Sequence, residues 1–290
     1  MAQCLLTWER KKNQKHYQKL NSMKILTTIA AAASALLIGY EVIWMTVPDP
    51  IETDSYRFEI KTPWSRADKC EFKFKVKNIS SDILIYKQHE SAIIIDGKEY
   101  HETKKKFLLQ PGDRNLIPQE YVVRGERDSY LTENFSFKLD GMYTLKTDGP
   151  KLDVPNFKLP VAKNSFKVGD FTVSVKDVYK ETKETKVKFD VLYTGPDYGI
   201  VNASKISATI PEKGETIFAN DYKNSDYEIL DQGESTKIEA ILHIPARYAD
   251  MQFANMELIW NDCFKVAKAK KLPGKTVEFK IDPGLTEAKN

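Results

Sequence analysis

The sequence predicts a mainly β protein: two tandem antiparallel β-sandwiches preceded by one N-terminal transmembrane helix. Three observations carry this. From Tyr56 onward apolar residues recur with a period of two, the pattern of antiparallel strands with one wet face. Gly, Pro and Asn turn signals divide those runs at sandwich spacing. A single uncharged apolar run stands ahead of them, and a helix that crosses a bilayer needs such a run.

The 290-residue chain is 41% hydrophobic and 29% charged, too apolar for a disordered protein and too polar for a multi-span membrane protein. Its formal net charge of +3 hides an asymmetry. Arg10, Lys11, Lys12, Lys15, Lys19 and Lys24 face only Glu9 in residues 1–24, so the remainder is slightly acidic. A nucleic-acid module carries its positive charge on the folded mass, so nucleic acid is not expected as a partner.

Residues 1–24 read as a basic cytosolic tail. The uncharged run 25–40 would extend roughly 24 Å as a helix, short of a hydrocarbon core of about 30 Å. Continued to Val47 it reaches roughly 34 Å, with Glu41 and Trp44 at one interface, so the expected anchor is 25–47. Lys/Arg before it, and Asp49, Glu52 and Asp54 after it, put the N-terminus inside and the body outside. A signal peptide beginning near Met23-Lys24 is the competing account and would leave a secreted body. The small-residue site it needs, Ala31-Ala32-Ala33, lies inside the apolar run rather than after it. Cys4 precedes that run, where a lipid-attachment cysteine would follow it. Both accounts export the body.

Within the body, Cys70, Phe72, Phe74 and Val76 alternate with Glu71, Lys73, Lys75 and Lys77, and residues 171–175 and 187–191 repeat the pattern. Further strands are expected over 83–86, 92–95, 121–124, 135–139, 206–210, 237–244 and 256–260. The separating turns are 78–82, Asp96-Gly97, Pro111-Gly112, 194–197 and Gln232-Gly233. Residues 148–165 carry three prolines, which cannot donate to a ladder, and read as a linker between sandwiches spanning 52–147 and 166–285. The halves share their punctuation: strands 72–76 and 187–191, then a polar turn, then Leu109-Gln-Pro-Gly112 or Leu230-Asp-Gln-Gly233. That pattern predicts a diverged duplication.

The order Val168-Gly-Asp-Phe-Thr-Val-Ser-Val175, Thr185-Lys-Val-Lys-Phe-Asp-Val191, Leu230-Asp-Gln-Gly233 resembles the immunoglobulin-like domains of uncharacterised bacterial envelope proteins, tethered outside the membrane behind a signal or anchor. The resemblance covers mainly 166–266 and more loosely 56–145. It implies an extracytoplasmic binding, adhesion or assembly module with no catalytic residues to carry over. The Cys-Trp-Cys core of antibody domains is missing, since Cys70 and Cys263 fall in different halves.

The search for chemistry yields little. His89-Glu90 and His101-Glu102 lack the second histidine of a helical zinc pair, and His243 reads as a strand residue. Gly274-Lys-Thr276 ends like a phosphate loop, but Ala269 stands where its first glycine belongs. There is no G-x-S-x-G elbow, and Glu181 and Glu184 flank a hairpin tip. No metal, cofactor or catalytic set is expected. Cys70 and Cys263 could pair in an oxidising compartment, although alternation turns Cys70 inward, where a thiol packs as a small hydrophobe. The sequons at Asn78, Asn134 and Asn202 matter only in a glycosylating pathway.

Contact with a partner is expected at Tyr193, Pro196 and Tyr198 of one loop and Tyr222 and Tyr227 of another, because rigid rings on loops give contact area at small entropic cost. The bland alternative is that these rings lie against their own sandwich. Lysines in 264–271 read as guards of an edge strand, or as a contact with an anionic wall polymer. The expected function is thus a membrane-anchored, non-catalytic envelope module whose partner is an envelope protein or wall polymer. The alternatives are an exported hydrolase or carbohydrate-active enzyme with its site on the loops, and a protective protein that sequesters a ligand between its domains.

Overall fold

A computed structural model describes residues 42–66, 69–122, 135–160, 164–214, 216–222 and 226–290. The basic tail, the expected anchor as far as Glu41, and Asn134 lie outside these residues.

The strands of the first unit are β1 (Ile43–Trp44), β2 (Ile51–Glu52), β3 (Tyr56–Arg66), β4 (Lys69–Asn78), β5 (Ile83–Lys87), β6 (Ala92–Ile95), β7 (Lys98–His101), β8 (Lys106–Leu109), β9 (Arg114–Val122), β10 (Ser136–Leu139) and β11 (Met142–Leu145). Those of the second are β12 (Phe157–Leu159), β13 (Ser165–Val168), β14 (Phe171–Lys180), β15 (Glu184–Tyr193), β16 (Tyr198–Val201), β17 (Ile206–Thr209), β18 (Ile217–Ala219), β19 (Glu228–Leu230), β20 (Ser235–His243), β21 (Met256–Trp260) and β22 (Phe264–Ala267). The chain ends with β23 (Lys270–Lys271), β24 (Lys275–Glu278) and the short helix α1 (Pro283–Lys289). The molecule is mainly β, as the alternation predicts, and all its strand pairs are antiparallel.

In the first unit a sheet ordered β1-β3-β4-β9 faces a second layer across an aromatic core holding Phe58, Phe72, Phe74, Tyr86 and Phe137. The second layer is kinked into two pieces, β24-β10-β6-β7 and β23-β11-β5-β8. Its strands bend where the 3-10 turn Gln88–Glu90 interrupts β5 and β6, and where Asp140-Gly141 joins β10 to β11. Gly141 has φ 74°, and a Cβ there would overlap the Lys87 carbonyl, so the bend requires glycine.

The second unit repeats this order. The sheet β13-β14-β15-β20 corresponds to β3-β4-β9, and a layer kinked into β12-β21-β17-β18 and β19-β16-β22 bends at a second 3-10 turn, Ala203–Lys205. Phe171, Phe189, Tyr193, Trp260 and Phe264 fill its core. The expected equivalence of 72–76 with 187–191 falls on β4 and β15.

Three boundaries differ from the sequence reading, each because an apolar face needed cover. First, Ile43 and Met45 are fully buried in the first core, and β1 pairs with β3. Residues 42–47 therefore belong to the body and cannot lengthen a membrane helix. No helix among the described residues is long and apolar enough to cross a membrane. Second, 148–165 is not wholly linker, since Phe157 and Leu159 enter the second core and β12 pairs with β21. Third, 270–285 leaves the unit to which 166–285 assigns it. β23 pairs with β11, β24 pairs with β10, and Val277 and Phe279 lie in the first core. The helix α1, capped by the Asp282 carboxylate on the Leu285 N–H (2.9 Å), then closes over β1. There the Trp44 N–H donates to Thr286 Oγ1 at 3.0 Å.

The segment after the second unit's last strand thus returns to complete the first, β23 pairing with β11 and β24 with β10. Phe279 lies 4.4 Å from Phe135 and 5.0 Å from Phe72 between ring centroids. Replacing it with alanine should cost about 3–5 kcal/mol. The whole endotherm should move down as one transition in calorimetry, whereas a second unit melting at its former temperature would show the units to be independent.

Candidate functional site

Period-two alternation fails in β5, whose Ile-Leu-Ile-Tyr run is buried at every position. The cause is a second interface. Leu84 and Tyr86 face the first core, while Ile83 and Ile85 meet Leu145, Ile200 and Ile229 in a separate apolar cluster shared by the two units. β16 does the same from the other side, with Ile200 in the shared cluster and Val201 in the second core. Between them Gly199 lies so close to its neighbours that a Cβ would be 2.7 Å from the Tyr193 ring.

Polar groups cap this cluster. Asp231, in the turn after β19, accepts from Lys87 Nζ at 3.3 Å and from Lys106 Nζ at 2.9 Å. Lys106 also donates to Glu234 and to the Ile229 carbonyl. Lys87 Nζ stands 5.2 Å from the Tyr198 ring centroid and 5.6 Å from that of Tyr143, within cation–π range. Tyr143 in turn donates to Glu90, which pairs with Lys271 at 3.0 Å. Burial pushes the Asp231 carboxyl up, but the adjacent Lys106 and Lys87 ammonium groups win and hold it below the usual carboxylate range. Burial works against the charge of Lys87, yet Tyr198 and Asp231 push it up to about 12.

Beside this network opens a cleft of about 510 Å3, lined from the first unit by Lys87, His89 and Lys104 to Lys106, and from the second by Pro196, Asp197, Tyr198, Asp231, Gln232 and Glu234. Lys104 and Lys105 are exposed, and His89 Nδ1 is buried without a protein partner. The arrangement offers the exposed ammonium groups of Lys104 and Lys105 on one wall, with Tyr198, Pro196 and the carboxylates Asp197, Asp231 and Glu234 opposite, of which Asp231 and Glu234 already pair with Lys106. Such a surface suits an acidic or polar ligand held by charge and stacking.

The five residues expected to contact a partner do not converge. Pro196 and Tyr198 line the cleft. Tyr193 is fully buried in the second core, where its ring offers nothing to a partner. Tyr227 packs at the edge of the shared cluster, and its carbonyl accepts from Gln110 Nε2 at 3.5 Å. Tyr222 lines a separate hollow of about 300 Å3 with Lys176, Lys188 and Lys237. Sequence reasoning missed Lys87, Asp231 and the 104–106 lysines as cleft residues. Only the departure of β5 from alternation marked the interface that gathers them.

Elsewhere His101 Nδ1 lies 2.9 Å from the Ser91 carbonyl, and His243 lies 3.3 Å from both Glu184 and Asp221. No disulfide joins Cys70, in the first core, to Cys263, in the second. Burial pushes the Cys263 thiol up to about 12. Among the described residues no three His, Cys, Asp or Glu side chains gather as a metal site would require. A scan against protein-family models matches no family, and a search of curated proteins finds no match.

Because the Asp231 value is depressed in the folded state, its contribution is present above the unfolded value of 3.8 and is lost as pH falls through the folded one. Asp231→Asn should therefore destabilise the protein by about 1–3 kcal/mol at neutral pH. In denaturant titrations the difference should shrink as pH falls below 3.8, and a gap that stays constant there would assign the loss to packing instead.

Proposed function

We propose that this chain is a non-catalytic, extracytoplasmic binding module of the cell envelope, two immunoglobulin-like sandwiches carried behind an N-terminal anchor or signal. The strand order supports the immunoglobulin-like reading. Each unit sets a sheet containing three consecutive partners (β3-β4-β9, β14-β15-β20) against a layer in which a C-like strand lies between an F-like strand and a short edge, as in that sandwich class. The sixteen uncharged, mainly apolar residues before Glu41 remain as the basis for export, enough for the core of a signal peptide and about 24 Å of helix.

The observation that carries the binding reading is the cleft between the units. It joins loops from both sandwiches, it includes Pro196 and Tyr198, and its walls are tied together because the first unit holds β23 and β24 from the end of the chain. Rigid clefts between domains are common ligand sites. The cleft also favours the second reading, capture of a ligand between the units, over a hydrolase sited on the outer loops.

Thermal-shift screening of the full chain against soluble wall fragments and acidic peptides tests this. A ligand at 100 times its Kd should raise the melting temperature by about 5 °C or more, and Tyr198→Ala with Lys104→Ala should abolish the rise. A ligand-induced rise that survives those substitutions would move the site off the cleft.

A further inference from the structure

We propose that the outer face of the β3-β4-β9 sheet, across the first core from the inter-unit cleft, binds a linear polymer carrying repeated phosphate diesters. The register places like charges directly opposite one another: Arg57 against Lys77, Lys77 against Arg114, and Lys61 against Lys73. Glu59, opposite Lys75, is the one carboxylate among these positions, and Lys61 and Arg57 already engage it at 3.1 and 3.0 Å. Lys73, Lys75, Lys77 and Arg114 have no ion-pair partner among the described residues.

Like charges opposite one another in a sheet are destabilising, so folding does not account for this arrangement. The equivalent face of the second unit supplies an internal contrast, because there Lys188 opposes Glu239 and Asp190 opposes Lys237. The same fold balances its charges in one copy, while in the other the stretch Lys73–Lys77 faces Arg57, Lys61 and Arg114, with Glu71 and Glu120 gathered at the far end around Lys69. Sites where a local rule is broken without structural gain are where function is expected.

The chemistry of the occupant follows from geometry. Alternate residues of β4 lie about 7 Å apart along the strand, and strands lie about 4.8 Å apart across it, which suits anions repeated along a flexible chain. The central cations are lysines, which bind phosphate as point charges and need no fixed fork geometry from a flexible chain. Leu116 is the exposed apolar side chain here, at 54%, too little to enter a membrane interface. No ring stands between Lys73 and Lys77 on which a nucleobase could stack.

The test is titration of the full chain with dye-labelled poly(glycerol phosphate) across a salt series. Wild type should bind at low salt. The variant Lys73→Gln, Lys75→Gln, Lys77→Gln should lose about tenfold or more in affinity, with a log–log salt slope shallower by about three. It should melt no lower than wild type. Lys186→Gln, Lys188→Gln, Lys237→Gln, with the same N-terminal tail, should bind within about twofold of wild type. Equal losses in both variants, a lower melting temperature for the first, or no binding by wild type would overturn the proposal. So would equal affinity for polygalacturonate, or tighter binding of oligo-dT or of phosphatidylglycerol vesicles.

Discussion

Ile83 and Ile85 point one way from β5 while Leu84 and Tyr86 point the other, and the architecture follows from the need to cover both faces at once. Each of these side chains contributes about 1.5–3 kcal/mol when removed from water. A lone sandwich would bury Leu84 and Tyr86 and leave the two isoleucines wet. The second unit presents Ile200 and Ile229 to them, and the chain enforces that meeting by returning β23 and β24 to the first unit. The units are therefore halves of one body. The cleft beside the shared cluster is a fixed feature of that body, bounded by the Lys87, Lys106 and Asp231 network.

Much of this was legible in the residues, and the exceptions have a common origin. Alternation located β4, β15 and β21, because each shows one face to a core and the other to water. The paired Asp96 and Gly97, with φ 50° and 76°, turned the chain where that dipeptide predicts. What alternation does not carry is the identity of the sheet a short strand joins. Val277 and Phe279 would suit either core, and nothing local tells β24 to leave the unit it follows. The same blindness let Ile43 and Met45 count toward a membrane helix, since a run of apolar residues satisfies a lipid tail and a protein core equally well. Tyr193 belongs to this group too. On paper it sits in a loop with Tyr198, yet one faces inward to Phe171 at 4.8 Å between ring centroids and the other lies under an ammonium.

Charge shows the reverse relation between sequence and structure. Lys73, Lys75 and Lys77 look in the sequence like the ordinary wet side of a strand. Only the register of β3 and β9 reveals that Lys73 faces Lys61 and that Lys77 faces Arg57 and Arg114. At the interface the same residue type does the opposite: Lys106 sits among Asp231, Glu234 and a carbonyl, fixing two units rather than awaiting a ligand. The fold supplies two separate surfaces, one a cleft that depends on both units and one a face that depends on the first alone.

The claim on which these readings rest is that strands from the end of the chain lock the second unit to the first. A protease site inserted between the exposed residues Pro155 and Asn156 tests it, with the cut protein passed over a sizing column without denaturant. The two fragments should elute together at the mass of the intact chain, because β24 and α1 of the second fragment remain in the first core. Separation into two folded pieces would contradict the account.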